Sequence, residues 1–132
     1  MKKLDLTSLE KALTSLQKAI ERYGREPGDE EVRDSVIQRF EYSYELCWKM
    51  LSKELQQRTP SPSQTPSLDF KSLVREGSRF GLIDDPEVWF EYRRMRNITS
   101  HTYDEATAEK VAGSAKSFLK DAKSLLEALE KG

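Results

Sequence analysis

The sequence predicts an all-α protein, an up-and-down four-helix bundle with an extra short helix. Three observations predict it. Apolar residues return every three or four positions through three long windows, the period of one helix face and not the alternation of a strand. Charged residues make up 34% of the chain, above the usual ~25%, which suits helices that bury one stripe and solvate the rest. The Val, Ile and Thr that a β-sandwich needs are scarce.

The first helix carries Leu9, Leu13, Leu16, Ile20 and Tyr23 on one face. Thr7 with Glu10 has the form of a capping box at its start, and Gly24, before Pro27 and Gly28, is placed to cap its end. From about Asp29 to Arg58 no Pro or Gly interrupts a second pattern of Val32, Val36, Phe40, Tyr44, Cys47, Leu51 and Leu55. At ~1.5 Å per residue this helix reaches ~40 Å. Ile37, Leu46, Trp48 and Met50 widen its buried arc enough to touch neighbours on two sides.

Thr59 to Ser67 reads TPSPSQTPS, where prolines block helix and hydroxyls favour turns, so a crossover loop is expected. Phe70, Leu73, Val74 and Phe80 outline a short helix that Gly81 can end. Asp85 followed by Pro86 is an N-cap and a first-turn proline, starting a fourth helix that buries Trp89, Tyr92 and Met95. Asp104 can cap the last helix, written in Val111, Ala115, Phe118, Ala122, Leu125 and Leu129 and running toward Gly132.

A chain of 132 residues fits one core, so a single domain over 1–132 is expected. Twenty-two Lys and Arg against 23 Asp and Glu leave a net charge of −1, so no global basic field marks a nucleic-acid binder and any charged site is local. One Cys and one His exclude an intrachain disulfide, Cys-x-x-Cys motifs and paired-histidine zinc sites. No metal or other cofactor is expected. The start MKKLDLTSLE lacks the apolar stretch of a signal peptide and no apolar run is long enough to span a membrane, so the cytoplasm is the expected compartment.

Chemistry concentrates in one window. His101, the single histidine, follows the cations Arg93, Arg94 and Arg96 and is surrounded by Asn97, Thr99, Ser100, Thr102 and Tyr103. Arginine grips phosphate with two parallel hydrogen bonds, and histidine changes charge near neutral pH. Together they suggest a phosphate-handling site, with Arg93 and Asn97 among its contacts. The plainer alternative is a solvated arginine face at a helix C-terminus, paired with acids such as Glu87 and Glu91.

Arg96 and His101 are five positions apart, which on a straight helix points them ~140° from each other. Either the helix ends or kinks near Thr99 and the imidazole swings back, or two copies of the chain bring Arg and His together. The second option is favoured on chemical grounds. Attack of a ribose 2′-hydroxyl on phosphate gains most from a base and an acid together, and a two-fold dimer supplies both from one His per chain.

Arg96-Asn97-Ile98-Thr99-Ser100-His101-Thr102-Tyr103 resembles the Arg-x4-His-x-Tyr motif of the HEPN superfamily. Val36 to Leu51, VIQRFEYSYELCWKML, is similar to the second helix of one branch, the nucleotidyltransferase substrate-binding proteins, which include HepT-type toxins. Phe80 to Trp89 and His101 to Glu105 resemble that branch too, and the likeness runs from the first helix to the last.

The resemblance implies a HEPN-like helical homodimer in complex with a cognate minimal nucleotidyltransferase. It implies a composite, metal-independent ribonuclease site in which Arg96 binds phosphate, His101 is the general acid/base, and Asn97 orients the RNA or the imidazole. Tyr103 matches the tyrosine that the partner enzyme of such toxin–antitoxin pairs modifies with AMP. The alternative within the branch is a non-catalytic subunit that holds a nucleotide or polynucleotide in the dimer cleft.

Other residues are given no role. Cys47, between Leu46 and Trp48, reads as a buried, inert thiol, and Trp48 and Tyr44 read as core or dimer interface more than as base-stacking rings. Glu41 and Glu45 read as an exposed i,i+4 pair.

Overall fold

The computed structural model describes residues 4–58 and 69–131. Five α-helices and one 3₁₀ turn account for the described secondary structure: α1 Thr7–Arg25, α2 Glu30–Arg58, α3 Phe70–Arg79, α4 Pro86–Asn97, the turn Thr99–His101, and α5 Glu105–Lys131. The described residues contain no strand. The expected crossover at Thr59 to Ser67 and the terminal Gly132 lie outside them.

The two halves of α2 face different neighbours. Its N-terminal half packs against α1, where Arg39 donates to the Ser15 carbonyl (2.7 Å) and Tyr42 donates to the Ser15 hydroxyl (3.0 Å). Its C-terminal half receives α3 and α4, and α5 closes the bundle along both α1 and α2. The wide apolar arc of α2 is thereby used on two sides, with Val36, Phe40, Cys47, Leu51 and Leu55 all buried. Burial pushes the Cys47 thiol up, away from the reactive thiolate.

Phe118 of α5 is the centre of the core, with no exposed surface. Its ring meets Phe40 edge-on at 5.0 Å, Tyr92 at 5.3 Å and Trp89 at 6.0 Å, so α2, α4 and α5 join through one aromatic cluster. Tyr92 also hydrogen-bonds Asp121, tying α4 to α5 at the cluster's edge.

Two of the expected helix ends differ. Thr7 is the first helical residue and no capping box forms; Leu6 holds the N-cap position, and the Asp5 carboxylate accepts from the Thr7 N–H at 3.0 Å. Hydrogen bonding from the Thr7 side chain, and after it from the Thr7 N–H, lowers the Asp5 pKa. Gly24 does not end α1 either. The helix continues to Arg25 because the Glu26 N–H still reaches the Arg22 carbonyl at 2.9 Å, while the Arg22 guanidinium holds the Glu26 carboxylate at 2.8 Å.

The ends expected at Gly81 and Asp85 form, and Asp29 and Asp69 add two unexpected caps. Asp29 caps α2 through the N–H groups of Glu31 and Val32, and Asp69 caps α3 through Ser72. Gly81 adopts φ +76°, a left-handed conformation at the turn after α3 that a residue with a Cβ enters at a cost. Asp85 accepts from the Glu87 N–H at 2.9 Å ahead of Pro86. Asp85→Ala is expected to cost about 1 kcal/mol, read as a melting point lowered by about 3–4 °C.

Candidate functional site

Helix α4 and the turn after it set out the predicted residues. One side of α4 buries Trp89, Tyr92 and Met95. The other side turns Arg93, Arg96 and Asn97 toward a hollow of about 290 Å³, whose far wall is Tyr44, Glu45 and Trp48 from α2. A second hollow of about 480 Å³ lies beyond, bounded by Asp69, Phe70, Lys71, Phe90 and Arg94, and Arg93 and Asn97 line both. These two residues form the ridge between adjoining depressions.

Aromatic faces hold Arg93 in place. Trp48 and Phe70 stack with centroids 4.9 Å apart and planes at 19°, and the Arg93 guanidinium lies 4.4 Å from the Phe70 centroid and 5.9 Å from that of Trp48. A cation over a ring face gains electrostatically without a carboxylate partner, and the same guanidinium acts as a donor toward the Tyr44 hydroxyl. Arg94 is the ordinary surface residue of the run, paired with Glu91 at 2.7 Å, as the solvated-face alternative expects.

Arg96 has a partner that the sequence reading passed over. Its Nε donates to a Glu45 carboxylate oxygen at 2.6 Å, across the hollow from α4 to α2. The Arg96 side chain is one-third exposed (33%) and that of Glu45 half exposed (50%). Exposed pairs of this kind contribute at most about 1 kcal/mol to stability. The geometric consequence is larger than the energetic one, because engaging Nε fixes the plane of the guanidinium and leaves its terminal nitrogens for another acceptor. Two arginines against one carboxylate keep the hollow net positive.

The helix stops short of His101. The Ile98 N–H is shared between the Arg94 and Met95 carbonyls, the Thr99 hydroxyl donates to the Arg96 carbonyl at 2.8 Å, and the chain tightens into the 3₁₀ turn. The helix therefore ends at Asn97, as the first way of relieving the spacing requires, but the imidazole does not swing back into the arginine-lined hollow. Asp104 then caps α5 by accepting from the Thr107 N–H and hydroxyl. His101 sits exposed on this turn and lines neither hollow. Its ring meets that of Tyr103 edge-on at 6.2 Å, and Tyr103 is 87% exposed. The structure thus gathers Arg93, Arg96 and Asn97 in one place and sets His101 with Tyr103 in another.

Among the described residues no group of three His, Cys, Asp or Glu side chains could hold a metal ion, and no helix is long and apolar enough to cross a membrane.

Fold and site define a small all-α bundle with an arginine-lined, aromatic-walled cleft between its second and fourth helices. Residues 4–131 match the family described as nucleotidyltransferase substrate binding protein like, and the chain belongs to that family. It is 39% identical over 135 residues to the probable ribonuclease HepT of Haemophilus influenzae, covering 96% of this chain and 92% of that protein. A solved structure from Haemophilus influenzae, described as the fold of a substrate-binding domain of a nucleotidyltransferase, superimposes with a TM-score of 0.90 at 36% identity, over 96% of this chain and 99% of its own. A crystal structure from Thermus thermophilus matches with a TM-score of 0.75 at 26% identity, over 92% and 98% of the two chains.

Proposed function

We propose that the protein is a HepT-like partner of a minimal nucleotidyltransferase, a cytoplasmic single-domain toxin that cuts RNA at a composite site formed by two copies of the chain. The observation that carries this reading is the division of the Arg-x4-His segment. Arg93, Arg96 and Asn97 converge on one hollow while the solitary His101 stands exposed on the turn beside it. A site with a phosphate grip and no imidazole of its own is completed by a second subunit. The 39% identity to a probable ribonuclease HepT supports the same chemistry.

In this reading Arg96 holds the scissile phosphate and Arg93 and Asn97 hold the strand next to it. One His101 takes the proton of the 2′-hydroxyl as that oxygen bonds to phosphorus. The His101 of the second copy gives a proton to the 5′-oxygen as its bond to phosphorus breaks. The arginines stabilise the extra negative charge on the phosphoryl oxygens between those events. No metal ion enters. Tyr103, at 87% exposure, is open to modification with AMP by the partner enzyme, and the added phosphate would occupy the same cationic cleft.

The test is incubation of the purified protein with single-stranded RNA in EDTA. Cleavage leaving 2′,3′-cyclic phosphate ends is the expected result. Cleavage that needs a divalent ion would refute the mechanism. Binding without cleavage would select the alternative, a nucleotide- or polynucleotide-binding subunit, which the resemblance to a nucleotidyltransferase substrate-binding domain favours.

Glu45 acts as a positioning residue through Arg96. Glu45→Ala is expected to lower kcat about tenfold, within the range by which small misplacements reduce rates. Glu45→Gln, which keeps an acceptor for Nε, restores most of that loss. Both variants should melt within about 3 °C of the parent, as loss of a half-exposed ion pair allows.

A further inference from the structure

The wall of the 290 Å³ hollow opposite Arg93 and Arg96 contains a group that the proposed cleavage mechanism does not use. Tyr44 is 5% exposed, and its hydroxyl oxygen is buried without a hydrogen-bond partner among the described residues. Such groups are rare, because burying a hydroxyl without a partner sacrifices its hydration for nothing in return. The ring itself is well placed, lying 6.3 Å from Phe40 and 6.3 Å from Phe70 in tilted contacts, so packing accounts for the ring and leaves the hydroxyl unexplained.

What the hydroxyl lacks is an acceptor. The Arg93 guanidinium acts on the oxygen both as a cation and from the donor side, but a guanidinium can only donate, so the hydroxyl's own hydrogen is left without an acceptor. Glu45, the adjacent residue on α2, has its Oε1 engaged by Arg96. Burial raises the Tyr44 pKa above that of an ordinary phenol, with Arg93 opposing, so the oxygen keeps its proton throughout the neutral range. The hollow therefore presents a buried O–H without an acceptor, two guanidinium groups and an asparagine side chain around a space of about 290 Å³. A phosphate group, with several acceptor oxygens and a negative charge, matches this set of donors. That volume approaches the lower end of small-ligand pockets and suits one nucleotide unit of a strand.

We infer that Tyr44 is a ligand-contact residue whose hydroxyl donates a hydrogen bond to a phosphate oxygen of single-stranded RNA, held in the hollow between α2 and α4 by Arg93 and Arg96. The inference rests on the ribonuclease reading above and extends it to α2, which supplies a donor as well as the acid that orients Arg96. Tyr44→Phe is the discriminating change, since it keeps the ring and removes only the unpaired hydroxyl. A structural role for that hydroxyl would make the variant less stable. A ligand-contact role leaves the melting point unchanged or raised, because a buried polar group without a partner has been replaced by an apolar edge.

The experiment measures fluorescence anisotropy of a labelled 2′-O-methyl RNA oligonucleotide, which presents the phosphates but has no 2′-hydroxyl to attack them. The intact protein, Tyr44→Phe and Arg96→Ala are compared, with sedimentation velocity on each. Binding to the intact protein that weakens about tenfold or more in Tyr44→Phe, with melting temperature and association state unchanged, is the expected result for loss of a hydrogen bond to a charged acceptor. Equal binding by Tyr44→Phe and the intact protein would overturn the assignment and leave the cleavage mechanism untouched. Weaker association between copies in Tyr44→Phe, with RNA affinity retained by the dimer, would give the missing acceptor to a second subunit and overturn it too. Failure of the intact protein to bind the oligonucleotide would remove the RNA reading and this inference with it.

Discussion

His101→Ala is expected to abolish RNA cleavage, lowering the rate at least about 10³-fold while the chain keeps its fold and association state. The ring is exposed, meets that of Tyr103 edge-on and is not among the core residues, so its removal leaves the core in place. In the proposed mechanism the loss is large because both copies lose their proton-transfer group, and each such group is worth about 10²–10⁴. Arg96→Ala should match it within an order of magnitude, as removal of one charge-stabilising donor costs about 10²–10³. Mixing the two variants is the sharper measurement. Because the proposed site uses the His101 rings of both copies, a heterodimer of Arg96→Ala with His101→Ala, which carries one imidazole, is expected to stay as inert as either parent. Recovery of activity by the heterodimer would show that one imidazole suffices beside the other copy's arginine and would overturn the two-imidazole mechanism.

Phe118→Ala is expected to have the largest effect on stability. The ring is fully buried and contacts aromatic residues from α2 and α4, so truncation leaves a cavity where three helices meet. Large-to-small changes of this type cost about 3–5 kcal/mol. For a chain of this length that lowers the melting point by more than about 10 °C in a thermal scan monitored by circular dichroism. Tyr103→Ala, at an 87% exposed position, is the matched control and should stay within about 0.5 kcal/mol of the parent. A loss for Phe118→Ala no larger than for Tyr103→Ala would contradict the placement of the core.

The architecture was legible because its signals are local. The Asp85-Pro86 pair announces the start of α4, Gly81 takes the left-handed turn that ends α3, and the heptad-like spacing of Val111 to Leu129 is the buried face of α5. The errors at α1 are local as well. Thr7 has a suitable side chain and Gly24 a suitably free backbone, but Asp5 caps from two residues earlier and the Arg22–Glu26 pair carries the helix one residue past the glycine. The site was half legible. A single window contains Arg93, Arg96, Asn97, His101 and Tyr103, and its composition drew attention to it. Glu45 and Tyr44 lie some fifty positions away on α2, and only the register of α2 against α4 brings them to the same hollow. Read alone, Glu45 is an exposed acid and Tyr44 one more aromatic on a buried face. No spacing rule reveals an ion pair across helices, or a hydroxyl that packing leaves without a partner.

A solitary imidazole on an exposed turn also provides a natural spectroscopic reporter. With one histidine in the chain, the proton spectrum of a symmetric pair contains a single Hε1 line, observable without isotopic labelling. Titrating that line with and without oligonucleotide reads the ionisation of the one group on which the chemistry is proposed to turn. Pairing the parent with a subunit altered at Arg96 would split the line in two if each ring senses its neighbour's guanidinium.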